Sequence, residues 1–343
     1  MSDALKPTLA MIAEGKALSM DESEHAFGII MSGEASEPQI AALLMGMRIR
    51  GETIEEISGA VRAMRAKMLT VKAPAGAIDV VGTGGDGHGT YNISTGACLV
   101  VAGCGVPVAK HGNRAVSSMA GASDLLTALG VNLDCDMALV EQSIAEAHIG
   151  FLLAPRHHSA MRFVVPVRAA LGIRTIFNIL GPMCNPAQVK RQLTGAFDKA
   201  LIAPMAKTLS NVGCEAGWVV HGADGMDELT TTGTTHVAQL KSGRVTTFEV
   251  SPEDAGLPRA ELSDLKGGDA ANNALAIRAL LDGEQGPYRD VVLFNAAAAL
   301  IVAGKANDLK AGVALAGQAI DDGRAKAALD NMVAITNSGG GAK

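Results

Sequence analysis

The chain has 343 residues, 48% of them hydrophobic and 19% charged, with a formal net charge of -6 at pH 7. That length exceeds the size at which one core usually stops growing, so two domains, or one large α/β domain with an appendage, are expected. The negative balance argues against a general nucleic-acid binder, whose affinity rests on spread Lys and Arg, and 7 Phe, 2 Tyr and 1 Trp leave little for base stacking.

The N-terminus, MSDALKPTLAMIAEG, carries early acids and lacks the basic start, apolar core and small-residue cleavage pattern of a signal peptide. The longest apolar runs, such as residues 291–303, are too short for a bilayer and are interrupted by Asn295. A cytoplasmic protein without membrane contact is expected. Cys98, Cys104, Cys135, Cys184 and Cys214 are odd in number and widely spaced in apolar surroundings, which predicts buried free thiols rather than disulfides or a zinc site.

Residues 1–70 read as a small helical unit. Pro38 suits the first turn of a helix over SEPQIAALLMGMRIRG that stops at Gly51, and Thr53 with Glu56 makes a capping box for TIEEISGAVRAMRAKML. After LTVKAPAGA the pattern changes. Short runs IDVV, VPVA, FLLA and WVVH alternate with Ala- and Leu-rich stretches, which predicts an α/β fold with a mainly parallel central sheet flanked by helices. From about Ala270 onward ANNALAIRALLDG, VVLFNAAAALIVAG and KAGVALAGQAIDDGRAKAALDNMVAIT read as helices packed on that sheet.

Two glycine-rich segments follow strand-like runs: DVVGTGGDGHGTYNIST and AKHGNRAVSS. Gly82, Gly84 and Gly87 form a literal GxGxxG, but the next strand ends in Lys110 and His111 where a Rossmann site needs an acid. This favours phosphate over NAD and leaves an NADP-type site using Arg114 open. No Gly-Lys-Ser/Thr closes a P-loop. Asn92, Ser94 and Thr95 stand at a helix start, where unpaired N–H groups favour an anion. Lys110, His111, Asn113, Arg114, Ser117 and Ser118 add a cationic and hydroxyl-rich segment at a second strand end. Ligand-free tight turns are the plain alternative. Far downstream, Asp224, Asp227 and Glu228 follow the strand WVVHG, and adjacent carboxylates there suit either a solvated turn or a magnesium ion shared with phosphates.

GTGGDGxxTxNIST, KHGNRxVSS, RHHSAMRFVVPVRAALGIRTIFNILGPMCNPA and DGMDELT together resemble the anthranilate phosphoribosyltransferases, and the resemblance runs from the helical start to the final helices. It implies a small N-terminal helical domain, 1–70 with a returning segment near 162–185, hinged to an α/β domain over 71–343. It also implies a homodimer through the helical domain. The reaction implied is transfer of the 5-phosphoribosyl group from 5-phosphoribosyl 1-diphosphate to the amine of anthranilate in tryptophan biosynthesis. No dedicated catalytic acid or base is implied. Gly82, Gly85, Asp86, Thr90, Asn92, Ile93, Ser94, Thr95, Lys110, His111, Gly112, Asn113, Arg114, Ala115, Val116, Ser117 and Ser118 would bind the ribosyl diphosphate. Gly82, Asn113 and Arg168 would meet anthranilate, with His158 and His111 along its access path. Two Mg2+ per chain are implied, one on Ser94 and Glu228 and one on Asp227 and Glu228.

Three positions depart from the family pattern: Ala115 and Ala122 replace serines and Met119 replaces a lysine, which weakens phosphate contacts and keeps Ala122 off the binding set. A nucleoside phosphorylase-like enzyme and a non-catalytic nucleic-acid-binding relative are the alternatives. The acid-reading pair Arg168 and Asn113 argues against the first, and the acidic chain against the second.

Overall fold

Four helices open the chain: α1 (Lys6–Ala13), α2 (Met20–Met31), α3 (Glu37–Arg50) and α4 (Ile54–Lys67). The computed structural model describes residues 3–113 and 120–339. Pro38 lies in the first turn of α3, where its missing N–H is no loss, and Gly51 ends that helix at a φ of 89°. Before α4, Thr53 Oγ1 accepts from the Glu56 N–H at 3.2 Å and Glu56 Oε2 accepts from the Thr53 N–H at 2.9 Å. This is the capping box read from the sequence. The buried Glu56 carboxylate also accepts from the Leu18 N–H at 2.9 Å and from Arg50 at 2.5 and 2.6 Å, so one acid ties three segments together.

Within α3, Ile40, Leu43, Leu44 and Met47 recur at helical spacing and are fully buried. They share a core with Phe27 and Ile30 of α2, with Ile57 and Val61 of α4, and with Val164, Val167, Ile176, Phe177 and Leu180 from much later in the chain. That later stretch includes the short helix Val165–Leu171, which packs on α3. Phe163 just before it covers Gly33, where a Cβ would lie 2.5 Å from the ring. The same core continues into Met205, Leu209, Val219 and Leu240, so the helical unit sits against one face of the sheet.

Among the described residues the sheet has seven strands: β1 (Ile78–Gly82), β2 (Val108–Gly112), β3 (Ile149–Leu153), β4 (Arg191–Gly195), β5 (Ala216–Gly222), β6 (Thr235–Lys241) and β7 (Arg244–Val250). Their order is β3-β2-β1-β4-β5-β6-β7, parallel through β5 and antiparallel beyond it. The chain runs outward from β1 to β3 on one side and from β4 to β7 on the other. The order therefore switches between β1 and β4, and ligands of such sheets bind at that switch, beyond the carboxyl ends of the strands. The four runs read from the sequence contribute to β1, β2, β3 and β5; RQLTG in β4 and the β6–β7 hairpin carry no apolar run and were not anticipated.

The other face is covered by α5 (Ile93–Gly103) and by the helices Ala270–Leu281, Pro287–Val302, Leu309–Asp321 and Arg324–Asn337, as the Ala- and Leu-rich segments implied. Small residues let them approach closely: a Cβ on Gly312 would lie 2.7 Å from the Ala297 Cβ. Cys98, Cys135, Cys184 and Cys214 are buried free thiols and Cys104 is half-buried. Burial pushes the Cys98 thiol up to about 12.

Removing the Glu56 carboxylate strands Arg50 and two backbone amides. Glu56→Ala is expected to lower stability by about 3 kcal/mol, read from the urea midpoint, and a loss below about 1 kcal/mol would show that water replaces the carboxylate.

Candidate active site

β1 and β4 end side by side at Gly82 and Gly195. A Cβ on Gly195 would lie 1.5 Å from the Asp227 backbone oxygen, and one on Gly82 would lie 2.3 Å from Asp227 Oδ2. The loop after β5 therefore rests directly on the strand ends, and Asp227 Oδ2 accepts from the Gly84 N–H at 2.6 Å. Asp224 has a different task from its neighbours. It accepts from the Met226 N–H at 3.1 Å and from the Thr230 and Thr232 hydroxyls at 2.7 Å, which shapes the loop from within.

Side chains alternate along β2, so Lys110 and His111 reach opposite faces of the sheet. Lys110, 2% exposed, donates to the Val80 carbonyl at 2.8 Å and to Ser94 Oγ at 3.3 Å beneath the start of α5. Its charge acts on the buried acids around it. Burial pushes Asp79 up to about 6 and Lys110 partly offsets that, while Asn185 at 2.7 Å and the His111 N–H at 3.1 Å donate to its carboxylate. Burial and the neighbouring Asp227 raise Glu228 to about 8, with Lys110 and a Ser94 backbone hydrogen bond working against them. Asp227 rises to about 6 through burial and the nearby Asp86. Oxygen donors short of positive charge are what a hard cation seeks, and Ser94, Asp227 and Glu228 are the residues that could hold one. Among the described residues no three His, Cys, Asp or Glu side chains converge into a complete cage.

On the other face, His111 Nε2 and His158 Nε2 are 3.3 Å apart with the rings edge to face. Burial, then the other ring, holds His111 well below the ordinary range, and burial brings His158 to about 4. Both rings are neutral at pH 7, so one nitrogen donates and the other accepts. Arg168 stands apart from both groups. Its half-buried guanidinium lies 5.9 Å from the Phe177 ring centroid, burial lowers its pKa, and among the described residues no ion pair reaches it.

The remaining expected residues are distributed around the first loop. Gly85 exposes its carbonyl to Arg174 at 2.5 Å, and Asp86 accepts from the His88 N–H at 3.2 Å. Thr90 bridges to Lys266, and Asn92 donates to the Ala120 carbonyl at 3.2 Å while accepting from Asn273 at 3.0 Å. Ile93 turns its side chain into a small core with Met226, Leu265 and Val291. Among the described residues the buried Thr95 hydroxyl has no partner. Gly112 ends β2, and the Asn113 carbonyl accepts from the Ser123 N–H at 3.4 Å. Arg114, Ala115, Val116, Ser117, Ser118 and Met119 lie outside the described residues. Asp79, Asn185, Arg174 and Asn273 were not singled out in the sequence. Asp79 alone carried a signal, an acid inside the apolar run IDVV.

Residues 6–68 match the helical bundle domain and residues 75–326 the a/b domain of the glycosyl transferase family. The anthranilate phosphoribosyltransferase of Azospirillum brasilense is 61% identical over 97% of this chain and 94% of its own length. The chain belongs to the anthranilate phosphoribosyltransferases. It is therefore a pentosyl-transferring enzyme, and the phosphorylase-like and nucleic-acid-binding alternatives are not favoured. The crystal structure of the Thermus thermophilus anthranilate phosphoribosyltransferase is 43% identical and superposes at a TM-score of 0.92 over 96% of this chain and 99% of that one. The Saccharomyces cerevisiae anthranilate phosphoribosyltransferase, solved in complex with PRPP and Mg, is 28% identical at a TM-score of 0.88 over 98% of this chain and 100% of that one. A further yeast structure holds 4-fluoroanthranilate.

The neutral histidines have a pH signature. Unfolded, His158 protonates near 6.5, but in the fold only near 4, so between those values the unfolded chain binds the extra proton. Stability therefore falls as pH drops through that window, by up to about 1.4 kcal/mol per pH unit. In His158→Gln this share of the slope should vanish; equal slopes in urea titrations from pH 7 to 5 would contradict it.

Proposed function

We propose that this site transfers the 5-phosphoribosyl group of 5-phosphoribosyl 1-diphosphate to the amine of anthranilate, giving N-(5-phosphoribosyl)anthranilate and diphosphate. One observation carries the proposal: the Asp227–Glu228 pair, raised by burial, lies at the sheet's switch point beside a glycine-rich turn and the start of α5. These oxygens fit magnesium that arrives with phosphates and water, and the yeast relative holds PRPP and Mg together. We assign two ions per chain, one to Ser94 and Glu228 and one to Asp227 and Glu228. Bound there, magnesium neutralises charge on the departing diphosphate.

The protein's own groups do the rest. Gly82, Gly85, the α5 start at Asn92, Ser94 and Thr95, and the segment from Lys110 to Ser118 hold the phosphates and ribose through backbone N–H groups, hydroxyls and amides. Arg168 brings a guanidinium fork that no ion pair reaches among the described residues and that matches a planar carboxylate better than an ammonium does, and Asn113 and Gly82 complete the anthranilate side. The aryl amine is unprotonated at neutral pH and attacks C1 directly; the C1–O bond breaks with its electron pair going to the departing diphosphate, which also takes up the proton that the nitrogen sheds. The neutral His111–His158 pair along its path adds no competing cation.

The helical unit, 1–70 with 162–185, closes over the α/β unit and excludes water from the ribosyl cation. Arg174 suits that task, since it leaves the returning segment, lies over the Phe197 ring at 3.9 Å and donates to Gly85. A homodimer through the helical unit would cover Ile49, Val165 and Ile173, which are 79%, 53% and 42% exposed. Buried free thiols suit a reducing cytoplasm, and no described helix is long and apolar enough to cross a membrane.

The test is direct: purified protein, magnesium, the ribosyl diphosphate and anthranilate, followed by loss of anthranilate fluorescence. Absence of turnover would reject the proposal. Glu228→Ala should abolish magnesium-dependent turnover with circular dichroism unchanged, and a wild-type rate there would remove the metal assignment. Arg168→Ala should raise the KM for anthranilate at least tenfold with a smaller change in kcat; an unchanged KM would mean that the carboxylate is read elsewhere.

A further inference from the structure

The helix Pro287–Val302 is buried along nearly its whole length, yet it carries an amide, Asn295, at its centre with no exposure at all. A buried amide is unfavourable unless its hydrogen bonds are met. Asn295 Oδ1 accepts from the Leu229 N–H at 3.0 Å, while Nδ2 donates to the Leu229 carbonyl at 2.8 Å and to the Val291 carbonyl at 2.9 Å. One side chain thus pairs with both polar groups of a single residue, as a neighbouring strand would. Leu229 directly follows Glu228, and its own side chain is fully buried.

The acidic loop is therefore held on both sides. Upstream, the Met226 carbonyl accepts from the Gly222 N–H at 2.9 Å, and Asp227 rests against Gly82 and Gly195. Downstream, Asn295 holds Leu229 itself, next to the Thr230 and Thr232 bonds to Asp224. An apolar residue at 295 would satisfy the helix and its neighbours Phe294 and Ala296 but would leave the Leu229 N–H and carbonyl without this partner. We propose that Asn295 is a positioning residue that fixes Glu228, and through it the carboxylate pair, on the carboxyl edge of the sheet. Its bearing on catalysis rests on the function proposed above; its bearing on the loop does not.

The test uses the full chain with Asn295→Leu, Asn295→Ala and, as a packing control on the same helix, Phe294→Leu. In the ligand-free protein, hydrogen exchange of peptides covering residues 224–232 should be at least tenfold faster in both Asn295 variants, with the other strand ends at wild-type rates. Phe294→Leu, even with an equal fall in Tm, should leave residues 224–232 unchanged. In turnover, the magnesium concentration for half-maximal rate should rise at least fivefold in the Asn295 variants and not in the control. Wild-type exchange over 224–232 in Asn295→Leu, or the same local increase in Phe294→Leu, would overturn the assignment. Should Asn295→Leu fail to fold, Asn295→Ala decides by the same exchange measurement. A wild-type chain that makes no product would reject the proposed function and leave the exchange result standing.

Discussion

Two strand ends without side chains let the backbone of a distant loop lie on the edge of a parallel sheet. Everything at this site depends on that approach. With a Cβ at Gly195 the Asp227 carbonyl would have to move, and with it the carboxylate that receives the Gly84 N–H from 143 residues away in sequence. The glycines at 82 and 195 thus do more than permit turns: they decide where two carboxylates meet the glycine-rich turn.

Charge is arranged around that contact with little to spare. Three buried acids, Asp79, Asp227 and Glu228, are all pushed up by burial, and Lys110 beneath the sheet edge acts on the first and the last. The period of the strand makes this division possible. Lys110 turns toward Ser94 and the α5 start, whereas His111, one residue on, turns to the opposite face and meets His158. One five-residue strand therefore places a buried cation beside the α5 start on one face and an uncharged histidine pair on the other.

Much of this was legible in local sequence. The Thr53–Glu56 capping box, the Pro38 start and the Gly51 stop are short-range signals, and the structure bears all three out. The glycine loops and the acidic loop were readable as residue types at strand ends. What could not be read was anything created by contact across the chain. RQLTG has no apolar alternation and becomes a central strand only because β1 and β5 flank it. Asn295 looked like a mere interruption of an apolar run until the fold brought Leu229 against it. Asp224, Asp227 and Glu228 look alike on the page; hydrogen bonds to Thr230 and Thr232 make the first a loop brace, a task the other two do not share.

The shared core of the helical unit has a consequence for how the chain is made. Phe27, Ile30, Leu43 and Met47 emerge from the ribosome early, but Val164, Val167, Phe177 and Leu180, which complete their packing, follow only after three strands of the sheet. The first four helices pack on one another, α2 on α4 above all, but the apolar surface that residues 164–180 cover stays open until they arrive. Such long-range closure slows folding and delays the committed native core. The N-terminal bundle is therefore not closed on itself, and cutting it away would expose the apolar surface it shares with residues 164–180.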